Sequence, residues 1–238
     1  MEGRPERKQA IGSFVIANNF MAKSYDYILM DLDGTITDPG LGITRCVRYA
    51  LEHFGIKVGD LQELYGFIGP PLSDSFREFY GFTEEQTGEA IEKYRERFAR
   101  TGMYENTVYP GMESMLEHLQ AAGKKLLVAT SKPEVFARQI LEHFQLAGYF
   151  EFIGGATLDG ARSRKEEVIR YVLETYGVRD LTRAVMVGDR KYDIIGGQLL
   201  GIDTIGVSYG YGSPEELKEA GANKVVASVE ELESVLIL

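Results

Sequence analysis

The feature that most constrains this chain is a rhythm of short apolar runs separated by longer stretches whose apolar residues recur every three or four positions. The runs are 25–30 (YDYILM), 125–129 (KLLVA), 150–153 (FEFI), 184–187 (AVMV), 204–207 (TIGV) and 224–227 (KVVA). Stretches 112–122, 133–144 and 165–176 carry the helical spacing. Runs this short, mostly apolar and alternating with helices predict an α/β chain whose core is a Rossmann-like, doubly wound parallel sheet covered on both faces. Ligands of such sheets sit beyond the carboxyl ends of the strands, so the residues just after each run are where chemistry is expected.

One interval breaks the rhythm. From 39 to 105 there is no strand pattern, only helical segments at 43–54, 61–66, 72–80 and 84–100. This predicts a small all-helical cap domain at 39–105, inserted after the first strand into a catalytic core of 21–38 and 106–238. The first twenty residues place charge before a short apolar patch that Asn18 and Asn19 interrupt, without a small-x-small cleavage site, and read as an N-terminal extension or an expression remnant. No apolar run approaches the ~18–20 residues needed to cross a bilayer. The net charge of −10 argues against binding nucleic acid polymers or anionic membranes, because no basic excess exists to neutralise phosphates. A single cysteine, Cys46, excludes an internal disulfide framework and fits a reducing, cytoplasmic setting. His53, His118 and His143 each close a Leu-Glu-His triplet near a helix end, without zinc-motif spacing, and are assigned no chemistry.

The strand ends share one chemistry. After the first run comes Asp31-Leu32-Asp33-Gly34-Thr35. Asp31 is placed to attack phosphorus as a carboxylate nucleophile, and Asp33 to protonate the leaving alcohol and later deprotonate water. Gly34 permits a tight path that Thr35 can hold by hydrogen bonding. Taken alone, Asp-x-Asp also describes a solvated acidic turn or half of a calcium loop. After the second run, Thr130-Ser131-Lys132-Pro133 opens a helix, where a hydroxyl and free amides make an anion site or an ordinary N-cap. Thr130 and the Ser131 amide would hold phosphoryl oxygens; Lys132 is a substrate ligand or a solvated charge near the site. After the third run, Lys165 begins a helix against the macrodipole and so wants an acidic partner, Asp31 and the incoming phosphate. Arg162 and Arg164 are weaker candidates for the same anion, and the cluster also reads as a solvated basic turn. After the fourth, Asp189 and Asp193 lie four apart on one helical face, and with Asp31 they suit Mg²⁺. A capping aspartate with a helical neighbour has the same spacing.

In this order the four signals resemble the haloacid dehalogenase superfamily, specifically its capped phosphatases. The motifs are DLDGT at 31–35, TSKP at 130–133, Lys165 and GDRKYD at 188–193, and the resemblance extends from about Tyr25 onward. It implies that Asp31 becomes an aspartyl-phosphate and that Asp33 is the general acid/base and lends its backbone carbonyl to the metal. It further implies that Thr130 and Lys165 stabilise the phosphoryl group, that Asp189 ligates Mg²⁺ and that Asp193 supports its water shell. Phrases 33–43, 66–76 and 128–137 are similar to phosphoglycolate phosphatases and to a bacterial subgroup labelled 5′-nucleotidase or tyrosine phosphatase. Met30, where Phe is usual, and Ala161-Arg162-Ser163 depart from the general pattern.

The expected activity is therefore Mg²⁺-dependent hydrolysis of a small phosphorylated metabolite, phosphoglycolate-like or a nucleoside 5′-monophosphate. A sugar phosphomutase or a non-catalytic phosphate-binding module are the alternatives. Asp33 speaks against metal-free dehalogenase chemistry. Within the cap, Gly66-Phe67-Ile68-Gly69-Pro70-Pro71-Leu72 reads as a stiff turn whose Phe67 and Ile68 face Asp31 and contact the leaving group, or simply as a link between cap helices.

Overall fold

A computed structural model describes residues 23–238; the extension predicted at 1–20 lies outside them. The chain begins with β1 (Tyr27–Met30) and β2 (Thr37–Asp38), then α1 (Gly40–His53), α2 (Leu72–Tyr80) and α3 (Glu84–Arg100). It continues through β3 (Thr107–Val108), α4 (Met112–Ala121), β4 (Lys125–Pro133), α5 (Glu134–His143), β5 (Phe152–Ala156) and α6 (Lys165–Tyr176). The remaining elements are β6 (Ala184–Gly188), α7 (Lys191–Leu199), β7 (Asp203–Val207), α8 (Pro214–Glu219), β8 (Lys224–Val226) and α9 (Val229–Leu236).

Six of the strands form one parallel sheet in the order β5-β4-β1-β6-β7-β8, the doubly wound architecture expected from the alternation. The side-chain period of two splits each run between the sheet faces. Ile28, Met30, Leu126, Val128, Val185 and Val187 enter the larger core, shared with residues of α4, α5 and α9. Leu29, Leu127, Ala129 and Met186 enter a second core under Val168, Ile169 and Val172 of α6. Burial on both faces is why the centres of the runs, 28–30, 126–129 and 184–187, are continuously apolar.

The register sets the functional end. Tyr27 lies level with Lys125 on one side and Ala184 on the other, and Met30 with Val128 and Val187. The residues that follow these three strands therefore emerge together at the point where the chain's winding changes direction. Strand β4 runs further than its apolar run suggests. Its pairing with β5 shifts register between Thr130 and Pro133, and α5 starts only at Glu134 behind Pro133. Ser131 and Lys132 thus sit on an irregular strand end rather than on a helix N-terminus.

Between β2 and β3 the described chain is helical, in α1, a 3-10 segment (Leu61–Phe67), α2 and α3. Asp60 with Glu63 and Thr83 with Gln86 form reciprocal caps, and Gly81 ends α2 in the left-handed conformation. Sequence reading missed the β2–β3 ladder, which pairs Thr37 with Val108 and Asp38 with Thr107 at the two ends of this insertion. Two residues per strand are too few for alternation to register. The insertion's Ile43, Val47, Phe76 and Phe98 join the same apolar cluster as the sheet. No helix among the described residues is long and apolar enough to cross a membrane.

Candidate active site

The floor of the site is a buried charge cluster at the ends of β1, β4 and β6. Asp31 follows β1, and its carboxylate lies 3.0 Å from the Lys165 ammonium. The same ammonium lies 2.7 Å from Asp193 and donates to the Ala129 carbonyl at 3.1 Å. The predicted acidic partner of Lys165 is thus two carboxylates, and its place on the first turn of α6 follows from them. Burial by itself would lower the basicity of Lys165, but Asp193 and Asp31 override it and hold the ammonium above the ordinary lysine value. Thr130, buried, lies two residues beyond the partner of Met30, and its hydroxyl accepts from the Lys132 backbone N–H at 3.2 Å.

Asp33 has a different neighbour. Lys132, itself buried, donates to Asp33 Oδ2 at 2.5 Å, and its ammonium lies 4.7 Å from the centre of the Phe98 ring. Lys132 is accordingly not a solvated charge. Burial raises the pKa of Asp33, while Lys132 opposes that shift only in part. The turn after Asp33 is tied by the backbone, Thr35 N–H to the Leu32 carbonyl, rather than by the Thr35 hydroxyl, which has no partner among the described residues.

Asp189 and Asp193 follow β6 and complete the floor. Carboxylate oxygens of Asp31, Asp189 and Asp193 lie within 4.8 Å of one another. Asp189 Oδ2 accepts from the Tyr211 backbone N–H at 2.8 Å, whereas its Oδ1 is buried and unpartnered among the described residues. Burial, reinforced by Asp193 and then Asp31, raises the pKa of Asp189 well above the ordinary carboxylate range. Asp193 is pushed up to about 6, burial foremost, against the pull of Lys165. Four buried carboxylates (31, 33, 189 and 193) thus face two buried ammonium groups (132 and 165). That excess of negative charge, with an orphaned oxygen at its centre, fits a divalent cation held by oxygen ligands. The approach is tight: a Cβ on Gly34, at φ +81°, would fall 2.1 Å from Asp189 Oδ2.

Beside Asp33 opens a cleft of about 440 Å³; of the charge cluster only Asp33 and Lys132 reach its lining, and Asp31, Lys165, Asp189 and Asp193 lie behind them. Asp33, Ser131 and Lys132 line it from the core, Phe67, Gly69–Ser73, Ile91 and Phe98 from the insertion. Phe67 therefore reaches the cavity. Ile68 does not: its side chain is fully buried in the apolar core, and it is the Ile68 carbonyl that makes the notable contact, accepting from Arg190. Arg162 is also committed elsewhere. Its Nε donates to the Gly155 carbonyl at 2.8 Å, and its guanidinium lies 3.5 Å from the Tyr171 ring centre. Sequence reading passed over Tyr211 and Arg190. Tyr211 lies in the SYGYG stretch just after β7, so the strand-end rule would have found it.

A family model described as haloacid dehalogenase-like hydrolase matches residues 28–207. The chain belongs to that family. Among its relatives is a 5′-nucleotidase of Pseudomonas aeruginosa, 47% identical over 215 residues, with 90% of this chain and 97% of the relative covered. Tyrosine-protein kinase PtkA of Mycobacterium tuberculosis is 37% identical, covering 90% of this chain and 73% of its own. A phosphoglycolate phosphatase of Vibrio parahaemolyticus is 26% identical, with 88% and 95% covered. A crystal structure of a predicted phosphatase from Clostridium acetobutylicum superposes with a TM-score of 0.87 at 53% identity, covering 89% of this chain and 97% of that one. The chain is an enzyme of the haloacid dehalogenase-like phosphatase type, as the order of its motifs implied.

Proposed function

We propose that this haloacid dehalogenase-like enzyme is a Mg²⁺-dependent phosphomonoester hydrolase working through an aspartyl-phosphate on Asp31. The observation that carries the reading is the pairing of Asp31 with Lys165 at 3.0 Å beside a second buried aspartate, Asp33, that is separately paired with Lys132. Asp31 Oδ attacks phosphorus as the ester P–O bond breaks, and the proton of Asp33 goes to the departing alkoxide. Burial, which favours the neutral carboxyl, suits Asp33 to that donation. In the second step Asp33 takes a proton from water, whose oxygen attacks phosphorus and frees the Asp31 carboxylate and inorganic phosphate. Lys165 and Thr130 hold the phosphoryl oxygens and restrain Asp31. Asp31, Asp189, Asp193 and the Asp33 carbonyl would hold Mg²⁺, which would offset the repulsion between the nucleophile and a phosphate dianion.

The substrate is a small phosphorylated metabolite, phosphoglycolate-like or a nucleoside 5′-monophosphate. A cleft of about 440 Å³ supports a small ligand, and its apolar wall of Phe67, Ile91 and Phe98 offers a face to a leaving group. The helices between β2 and β3 serve as a cap over 39–105 on a core of 21–38 and 106–238. A phosphomutase would share the first step and differ in the acceptor, a second sugar hydroxyl instead of water.

The test is phosphate release from phosphoglycolate, nucleoside 5′-monophosphates, sugar phosphates and phosphotyrosine, with and without Mg²⁺, beside Asp31→Asn. Metal-dependent release that Asp31→Asn abolishes is the expected result. Substantial residual turnover in that variant would sink the nucleophile assignment, and no release from any compound by folded protein would move the reading to a mutase or a binding module.

A further inference from the structure

The cleft wall beside Asp33 includes Gly69 through Ser73, and what holds this run in place lies outside the cleft. The Ile68 side chain anchors one end in the core, while the Ile68 carbonyl accepts from Arg190 Nη1 across 122 residues of sequence. Gly69, at φ +109°, rests on the same side chain: a Cβ there would come within 2.8 Å of Arg190 Cγ. Arg190 is fixed in turn. Glu216 of α8 accepts from its Nε at 3.0 Å and from the Lys191 N–H at 2.9 Å, and the Arg190 backbone N–H donates to Asp193 Oδ2 at 3.0 Å. Its guanidinium therefore spans a buttressing carboxylate and a loop carbonyl, a geometry that a planar fork satisfies in full and a lysine ammonium only in part.

We propose that Arg190 is a positioning residue: it docks the 69–73 wall onto the turn carrying Asp189 and Asp193, so that discrimination among leaving groups depends on a side chain that touches no substrate. The docking stands on the geometry alone, and its consequence for leaving groups rests on the phosphatase reading above. A wall held by one residue of the metal-ligand turn would be placed relative to the reacting phosphorus. A large leaving group that leans on the wall would feel the loss of Arg190, whereas a leaving group too small to reach it would not.

Two readouts separate this from a merely structural role. Cys46 is buried, so in a Ser73→Cys background maleimide labelling reports the wall. Losing a charge-assisted hydrogen bond should speed labelling on the order of tenfold in Arg190→Gln, with partial recovery in Arg190→Lys. In Arg190→Gln kcat/KM for adenosine 5′-monophosphate should fall about tenfold, chiefly through KM, while acetyl phosphate at saturating Mg²⁺ changes less than about threefold. Unchanged labelling, or equal losses on both substrates, would overturn the proposal. Should Arg190→Gln not fold, Glu216→Gln removes the buttress and is expected to move both readouts the same way by a smaller factor. If the wild-type protein releases phosphate from neither compound, the largest and smallest leaving groups it does accept from the panel above take their place; release from none ends the phosphatase reading, and the labelling rates alone then decide the docking.

Discussion

The charge cluster that forms the floor of the site takes its side chains from the ends of three neighbouring parallel strands, whereas the wall of the adjoining cleft comes from α3, the start of α2 and the loop before it. In the floor, strand register already brings Asp31, Thr130 and Asp189 to one level, and Lys165 is locked by Asp31, Asp193 and the Ala129 carbonyl. In the wall, position depends on how an insertion docks, through contacts such as Arg190 to Ile68 and Arg95 to the Leu158 carbonyl at 3.0 Å. Most of the floor's contacts are made within the core, the insertion touching the cluster through Phe98 beside Lys132. Substitutions in the floor should therefore strike turnover on every substrate, and substitutions in the wall should change which substrate is preferred.

After the loss of the nucleophile in Asp31→Asn, the largest expected effect is that of Asp33→Asn, which keeps the shape and removes the proton donor. Turnover should fall by about 10²–10⁴-fold on all substrates, least for those with acidic leaving groups that need little protonation. A loss confined to one substrate would place Asp33 with the wall. Lys165→Met comes next. One electrostatic donor is worth roughly 10²–10³ in kcat, and the two carboxylates left behind lose their counter-charge. Breaking a buried pair in this way costs about 3–5 kcal/mol, so denaturant unfolding without metal should show the loss, and Mg²⁺ should recover part of it. Unaltered stability would mean that the cluster is wetter than its burial indicates.

The floor also predicts a pH dependence that the wall does not. Asp193 is pushed up to about 6 from 3.8. A carboxylate with a raised folded pKa contributes stability below its unfolded value and loses that contribution as pH climbs through the folded one. Metal-free protein should therefore lose stability between about pH 4 and pH 6. Mg²⁺ needs these carboxylates ionised, so its stabilising effect should be small at pH 5 and large at pH 7.5. At a hundredfold excess over its dissociation constant that effect is about 2.7 kcal/mol. Thermal melts with and without Mg²⁺ at the two pH values check this, and equal shifts at both would break the link between the cluster and the metal.

The same contrast explains what could be read from the sequence. The sheet was legible because each run is apolar on both faces, and the candidate floor because its residues directly follow those runs. The strand-end rule reached Asp31, Asp33, Thr130 and Asp189, and the dipole argument at Lys165 anticipated Asp31 but not Asp193 as its partner. It erred on the N-cap at Ser131, because the cap of α5 is Pro133, two residues on, although Ser131 does line the cleft; and it could not see that Arg162 stacks on Tyr171. For the wall, sequence offered a stiff Pro-Pro turn and two apolar residues, yet which of them turns outward depends on tertiary packing. Ile68 went to the core and Phe67 to the cavity. Arg190 carries no local sign of its role, since its partner lies 122 residues away.

Phe67 gives the smallest effect and the sharpest test of the division. Its ring packs at 5.0 Å from Phe76 and 5.4 Å from Phe79, measured between centroids, while also lining the cleft. Truncation to alanine would confound the two roles by opening a cavity worth about 3–5 kcal/mol. Phe67→Leu keeps most of the volume and removes the flat face. Stability should fall by about 1 kcal/mol, and kcat on acetyl phosphate should hold. The ratio of kcat/KM between an aromatic and a short aliphatic phosphate ester should shift by a few-fold, the scale of one apolar contact in a binding site. A uniform drop across both esters would show that the wall also shapes the floor, and the two regions would then have to be treated as one.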